Sequence, residues 1–417
     1  MKEKKLVPKR RFKGFVEFWE EKTMEEVIDN LYNGQTPSRA NKRYWNGEIN
    51  WLSSGELNKG IVTKTIEKIT EKGRKNANLK IVPKGTFIIA ITGLEAAGTR
   101  GNCAVLGIDT TLNQSCMAIY PNKELLDSLF LLQWYMKNGE EYGLKYTQGT
   151  KQQSYNATLI HKLKINMPVR VEQQKIGEFF KHLDQMTSLE QRKLEKTKAL
   201  KSAYLAEMFP AEGELVPKRR FSGFTGEWTY KKLSEIVDKS VDNRGKTPPL
   251  NADGDYHLIE VASLGNRFPD YSKVSKFLDQ NSYENSLRGY LSKGDILFST
   301  VGRIGVVSLA DDNEFAVIAQ NIVGFRANKN FYSDYLYAVF TTVDNREKAN
   351  KIVMGAVQPS IKVSQLVDVK YLITTNIQEQ QLIGDFFKKL DESITNHQQK
   401  LNKLKAMKQA YLEEMFV

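Results

Sequence analysis

Glu172-Gln173-Gln174-Lys175-Ile176-Gly177 and, further along the chain, Glu379-Gln380-Gln381-Leu382-Ile383-Gly384 open two stretches of nearly the same sequence. The copies, residues 172–209 and 379–416, are identical at 23 of 38 positions and close alike on Tyr204-Leu205-Ala206-Glu207-Met208-Phe209 and Tyr411-Leu412-Glu413-Glu414-Met415-Phe416. Apolar residues fall at Ile383, Phe387, Leu390, Ile394, Leu401, Leu404, Tyr411 and Met415, and in the first copy at Ile176, Phe180, Leu183, Leu194, Tyr204 and Met208. Steps of four and three put these on one stripe, the seam of a heptad helix. No proline interrupts either copy, and Pro210 stops the first. At 1.5 Å per residue each helix reaches about 57 Å. Glu190, Lys201, His397 and Lys408 also stand on the seam, where polar residues weaken packing but fix register. Two such helices in one chain are expected to pair with each other.

Outward from the helices, a second echo opens each half: Leu6-Val7-Pro8-Lys9-Arg10-Arg11-Phe12 and Leu215-Val216-Pro217-Lys218-Arg219-Arg220-Phe221. The chain is one unit used twice, its ends kept alike and its middle divergent. The middles show short β-rich runs between Gly, Asn and Pro: residues 85–91 and 294–300, each after a Lys-Gly turn, and residues 111–120 and 316–325. Local matches persist, with Gly34-Gln35-Thr36-Pro37 facing Gly245-Lys246-Thr247-Pro248, Gly47 facing Gly254 and Gln114 facing Gln320. Gly34, Gly149, Gly245 and Gly355 are expected to serve turn geometry. The expected fold is mixed α/β (α+β), in two copies, with two long antiparallel coiled-coil helices and a pseudo-twofold repeat. The expected domains are 1–171 and 210–378, separated and closed by spacer helices over 172–209 and 379–417.

Composition is that of a soluble globular protein, with 26% charged and 41% hydrophobic residues. The opening Met1-Lys2-Glu3-Lys4-Lys5 leads into no apolar stretch, and the longest apolar runs are too short to span a bilayer. A cytoplasmic protein is expected, with Cys103 and Cys116 as reduced, buried small hydrophobes. The net charge of +12 points to a polyanionic partner. Its distribution is uneven: residues 1–171 carry 27 basic and 17 acidic side chains, residues 210–378 carry 21 and 20.

No catalytic constellation emerges. Gly245-Lys246-Thr247 ends like a phosphate loop, but Ser240 stands where its first glycine is needed and Pro248-Pro249 forbids the following helix. His161, His182, His257 and His397 are scattered, without zinc or triad spacing. Pro269-Asp270 and Asp368-Val369-Lys370 each lack the partners of a metal-dependent nuclease site, and no Asn-Pro-Pro-Tyr-type methylation motif is present. Binding, rather than reaction, is the expected activity.

The paired Pro-Lys-Arg-Arg-Phe-x-Gly-Phe openings, each followed by Trp19 or Trp228, together with the Gly-x-Thr-Pro turns and the Glu-Gln-Gln-x-Ile-Gly helices, closely resemble the specificity subunit of type I restriction-modification systems. The resemblance covers essentially the whole chain. It implies two target recognition domains, each reading half of a bipartite double-stranded DNA site, and helices that act as spacer and docking surface for two methyltransferase subunits. It also implies a motor-nuclease subunit as partner. S-adenosylmethionine, ATP and magnesium would serve those partners, with no cofactor, catalytic residue or membrane contact in this chain.

Antiparallel helices would turn the tandem repeat into an object that reads half-sites in opposite orientation, as two-fold DNA-binding dimers do. Unlike middles then mean unlike half-sites. Base edges are best read by Arg, Asn, Gln and Lys on loops, which selects Arg39, Asn46, Arg100, Gln152 and Gln153 in the first middle and Lys246, Arg303 and Gln358 in the second. Arg100 and Arg303 each sit in a glycine-punctuated loop after a predicted strand. The Glu-Gln-Gln and Tyr-Leu-x-Glu-Met-Phe ends are read as scaffold and docking surface. Two other readings stay open: a coiled-coil adaptor whose two domains bind proteins, and an enzyme with an unrecognised site.

Overall fold

The structure, a computed structural model, describes residues 6–57, 59–94, 100–146, 154–245, 247–353, 355 and 359–417. The chain forms two compact units, Met1–Glu190 with Lys400–Val417 and Gln191–Gln399. The division falls inside both long helices, Arg170–Met208 and Ile377–Met415. Each unit therefore holds the first part of one long helix and the last part of the other.

In the first unit a five-stranded sheet has the order Ile28–Asn33, Cys116–Pro121, Phe87–Ala90, Cys103–Leu106, Ile61–Val62. All its pairs are antiparallel except the last, between Ile61–Val62 and Cys103–Leu106. A smaller three-stranded lobe is built from Glu67–Ile69, Trp45–Leu52 and Thr111–Leu112. The second unit repeats both parts. Its main sheet runs Val237–Val241, Ile322–Ala327, Ile296–Ser299, Val307–Leu309, and its lobe runs Phe277–Leu278, Tyr256–Ile259, Ala316–Ile318. The fully buried central strands Phe87–Ala90 and Ile296–Ser299 read as continuous apolar runs because helices cover the sheet.

The expected single strands 111–120 and 316–325 are each two strands. Thr111–Leu112 pairs in parallel with the lobe strand Trp45–Leu52, whereas Cys116–Pro121 belongs to the main sheet. Ala316–Ile318 and Ile322–Ala327 divide in the same way. The switch is a tight turn: Cys116 N–H donates to Asn113 O at 3.1 Å, and Gln320 adopts φ 36°. Apolar residues continue on both sides of the turn, so the hydrophobic pattern carries no mark of the change of sheet.

Both helices pack by the seam read from the sequence. In the first unit Phe179 meets Tyr411 edge-on at 5.0 Å, Asp184 accepts from Lys408 at 2.5 Å, and Glu190 lies 3.3 Å from Lys400. In the second, Lys201 donates to Asp391 at 2.6 Å and Tyr204 meets Phe386 at 5.0 Å. As one number rises its partner falls, so the pairing in each unit is antiparallel. Three of the four polar seam residues, Glu190, Lys201 and Lys408, are thus ion-paired to the facing helix.

The motifs at the two ends of each repeat meet each other. Arg11 donates to both carboxylate oxygens of Glu172 at 2.7 Å, and Glu172 is completely buried. Arg220 grips Glu379 in the same manner, with a shorter contact of 2.5 Å and one of 2.8 Å. The preceding arginines hold the closing residues: Arg10 N–H donates to Glu414 O and Arg219 N–H to Glu207 O, each at 2.8 Å. Gln173 and Gln380 are buried, and they accept from the backbone N–H of Asp127 and Tyr332 at the entry to the next helix inward. Trp19 packs on Phe130 and Phe416, as Trp228 packs on Tyr335 and Phe209. The Glu-Gln-Gln motif, expected as scaffold and docking surface, is therefore internal at its Glu and first Gln. Only Gln174 and Gln381 among its polar residues are exposed. Among the described residues no helix is long and apolar enough to cross a membrane.

Candidate nucleic-acid interface

Arg39 lies on the surface of the first unit's lobe. Its guanidinium lies 3.7 Å from the centroid of Trp45 and 5.1 Å from that of Trp51, and its two amino groups donate one to each oxygen of Glu67, the second at 2.8 Å. That hydrogen bond holds the Glu67 carboxyl below its usual range and Arg39 above its own. The two indoles meet edge-on at 5.1 Å, and each anchors the loop before the strand: Trp45 donates to Ser38 O and Trp51 to Gln35 O. Arg39 is therefore held over the Trp45 ring by the Glu67 carboxylate. Asn46, next to Trp45, is exposed and adopts φ 61°, a left-handed conformation that asparagine tolerates better than most residues. Arg39 and Asn46 thus both lie on the surface of the first lobe, Asn46 next in sequence to the indole that Arg39 covers.

Arg303, in the second unit, is exposed in the loop after Ile296–Ser299 and donates to Val261 O at 2.9 Å. Arg100 does not lie where an open loop would place it. It is 8% exposed and ion-paired with Glu140 at 3.2 Å, and its stem lies against Gly143 of the helix Ser128–Tyr146. A cation so enclosed cannot reach a groove without breaking that packing. Gln152, Gln153, Lys246 and Gln358 lie outside the described residues.

Sequence reasoning passed over a basic surface on the first lobe. The short helix Glu71–Asn76 is tied to the turn Lys42–Tyr44 by Thr70, whose hydroxyl donates to Arg43 O at 2.8 Å and accepts from Gly73 N–H. Lys42, Arg43, Lys72 and Lys75 are all exposed there. The runs Lys42-Arg43 and Lys72-Gly73-Arg74-Lys75 were the available signal, but only the fold places them on one lobe. Over residues 39–81 the chain carries ten basic and four acidic side chains; the matching residues 250–290 carry four and six. Residues 39–81 thus carry a surplus of +6, as much as the opening residues 1–13, within a first-half surplus of +10.

The repeated turns tie lobe to sheet through the same residue pair, with donor and acceptor exchanged between the copies. Thr36 donates to Gln114, and Gln320 donates to Thr247 at 2.6 Å. Both glutamines stand at the switch between lobe and main sheet. The turn glycines differ, however. Gly34 has no left-handed φ: a Cβ there would lie 2.1 Å from Leu112 O, so close approach of the backbone requires it. Gly245 and Gly355 do take positive φ, 77° and 91°, as a turn requires, while Gly149 lies outside the described residues. Among the described residues no group of three His, Cys, Asp or Glu is placed to hold a metal ion.

A twice-built sheet-and-lobe scaffold on paired long helices defines a tandem recognition protein. The family model for the type I restriction modification DNA specificity domain matches residues 17–199 and again 225–406, and the chain belongs to that family. The type I restriction enzyme MjaIX specificity subunit of Methanocaldococcus jannaschii is 23% identical over 95% of this chain and 92% of its own length. The EcoR124I/EcoR124II specificity subunit of Escherichia coli is 25% identical over 40% of this chain and 41% of its own length. The crystal structure of a type I restriction-modification S subunit from M. genitalium shares the fold, with a TM-score of 0.68, 14% identity and 99% coverage of both chains.

Proposed function

We propose that this chain is the DNA-reading subunit of a type I restriction-modification assembly, in which each repeat reads one half of an interrupted, asymmetric duplex target. The observation that carries this is one scaffold built twice with unlike lobes. What is kept between the copies is the sheet, the Thr-Gln tie and the Arg-Glu grip; what differs is the exposed chemistry. Residues 1–171 and 210–378 carry recognition, and the helices over 172–209 and 379–417 set the gap and carry two methyltransferase subunits. A motor-nuclease subunit completes the assembly. The chain itself is a non-catalytic subunit, and S-adenosylmethionine, ATP and magnesium belong to its partners.

Within this reading Arg39 and Asn46 contact base edges, while Lys42, Arg43, Lys72 and Lys75 contact phosphates and fix position. In this reading Arg39 exchanges the Glu67 carboxylate, to which both its amino groups donate, for the two acceptors of guanine, the commonest specific Arg contact. Arg303 serves the other half-site. Gln152, Gln153, Lys246 and Gln358 remain assigned to DNA contact, and Arg100 is reassigned to holding its loop. The test is methylation mapping of DNA exposed to the assembled modification complex. Wild type should mark a two-part motif with a fixed gap, and Arg39→Ala should relax one base in one half only, by about 10-fold to 100-fold. Equal loss at both halves would refute the assignment of Arg39, and a motif without a fixed gap would refute the whole reading.

A further inference from the structure

The second lobe is a poor phosphate surface and a good site for something else. On its face Tyr256 and Tyr283 stack in parallel, centroids 4.0 Å apart and planes 12° from coplanar. Tyr290 continues the row 4.6 Å from Tyr283, and Phe315 flanks Tyr256 at 5.6 Å. Tyr290 and Phe315 are 41% and 47% exposed. Beneath them Leu258, Leu278, Leu287, Val317 and Ala319 form a small separate core that keeps the rings in place. Two exposed rings set beside two half-buried ones make an aromatic patch on a water-facing lobe, where large apolar patches mark interaction sites.

The surrounding charge decides what such a patch accepts. Asp253, Asp255, Glu284 and Glu314 are exposed in the same segments. The Tyr283 phenol is raised above its ordinary value first by burial and then by Tyr256, Tyr290, Glu284 and Glu314, all groups that disfavour a further negative charge. Of the neighbouring cations Lys276 is engaged with Glu260 at 2.6 Å and Lys293 with Asp312 at 3.2 Å, while Arg288 is exposed. Among the described residues no Arg or Lys stacks on these four rings. The first lobe shows the same chemistry satisfied within the chain: an indole face, a carboxylate, and the Arg39 guanidinium between them. The positions do not correspond residue for residue, but the second lobe has the rings and the carboxylates with no cation over the rings among the described residues.

We propose that the tyrosine row of the second lobe docks a partner protein by receiving its arginine or lysine side chains. A cation over a π face flanked by carboxylates gains from both, and the gain grows as the partner covers the rings from water. Duplex DNA is the other macromolecule such a lobe could meet, but its phosphates would face the carboxylates unpaired. The surface is independent of base reading by the first lobe, so it stands even if that assignment fails.

The full-length protein, carrying ring-labelled tyrosine, would be titrated at physiological ionic strength with an Arg-Gly repeat peptide, with the same peptide bearing citrulline for arginine, and with a short duplex. The resonances of Tyr256, Tyr283 and Tyr290 should move with the arginine peptide alone. Tyr283→Leu should weaken that binding about 5-fold. Glu284→Gln with Glu314→Gln should also weaken it; both residues are exposed, so this variant remains informative should the leucine variant fold poorly. Equal response to the citrulline peptide, unchanged binding in the variants, or movement of the tyrosine signals with duplex instead would each overturn the proposal.

Discussion

Arg11 and Glu172 bind each other through two hydrogen bonds of 2.7 Å, although the carboxylate is wholly buried and 161 residues away in sequence. Arg220 and Glu379 repeat the arrangement in the second unit. A single relationship thus explains why the two most alike segments of each repeat are kept together. The opening arm closes over the start of a long helix, and Phe12 on Phe179, like Phe221 on Phe386, seals the contact.

Arg11→Ala leaves the Glu172 charge enclosed without a partner and is expected to cost about 3–5 kcal/mol. Arg11→Met with Glu172→Leu removes both charges and should recover much of the loss. Urea unfolding of the single and double variants measures both. A single variant within about 0.5 kcal/mol of wild type would show that water reaches the carboxylate.

Gly34→Ala and Gly245→Ala are equivalent in sequence and unlike in structure. A methyl at Gly34 meets the Leu112 carbonyl at 2.1 Å, where neither backbone can yield, whereas Gly245 faces open space in a left-handed conformation. The first should cost about 3 kcal/mol or more and the second about 1 kcal/mol. Thermal unfolding of the two variants would rank them, and the reverse order would contradict the packing described.

Asp391 accepts from Lys201 through one oxygen, while the other is buried without a hydrogen-bond partner. Burial raises its pKa above the ordinary aspartate value even against the pull of Lys201. The folded chain therefore holds this proton to higher pH than the unfolded chain does. The stability that the protonated form contributes is full below the ordinary value and is lost as pH rises through the raised one. Asp391→Asn should remove that component. The difference in urea midpoint between wild type and variant, followed through mildly acidic pH, should grow in favour of the variant as pH rises; a constant difference would exclude the shift.

Cys103 and Cys116 are free and fully buried, and burial raises both thiols, Cys103 to about 12. Reactivity requires thiolate and access, so neither should react with a thiol reagent in the native protein and both should react in denaturant. Rapid modification of the folded chain would show that the main sheet opens.

Shortening both long helices by one heptad at equivalent positions removes about 10 Å of rise from each. If the helices set the gap between half-sites, the methylated motif should lose up to about three base pairs from its unread centre. An unchanged gap would separate helix length from spacing.

The duplication and the helical seam were readable from residues 172–209 and 379–416 alone, because a 3.5-residue repeat is a local property and survives without its partner, and the unlike middles from comparing residues 1–171 with 210–378. Glu190, Lys201 and Lys408 were legible as seam residues, but their partners Lys400, Asp391 and Asp184 were not, since antiparallel pairing joins positions that no sequence spacing relates. Arg100 and Arg303 looked alike in glycine-punctuated loops; burial against Glu140 and Gly143 separates them, and burial is a property of the packed chain. The same holds for the strands 111–120 and 316–325, whose change of sheet leaves the apolar pattern intact. It holds also for the two lobes, whose basic and tyrosine-lined surfaces draw on residues tens of positions apart. Periodicity and repetition, which are written along the chain, determined the architecture; which side chains face each other and which face water was decided only when segments distant in sequence were brought into contact.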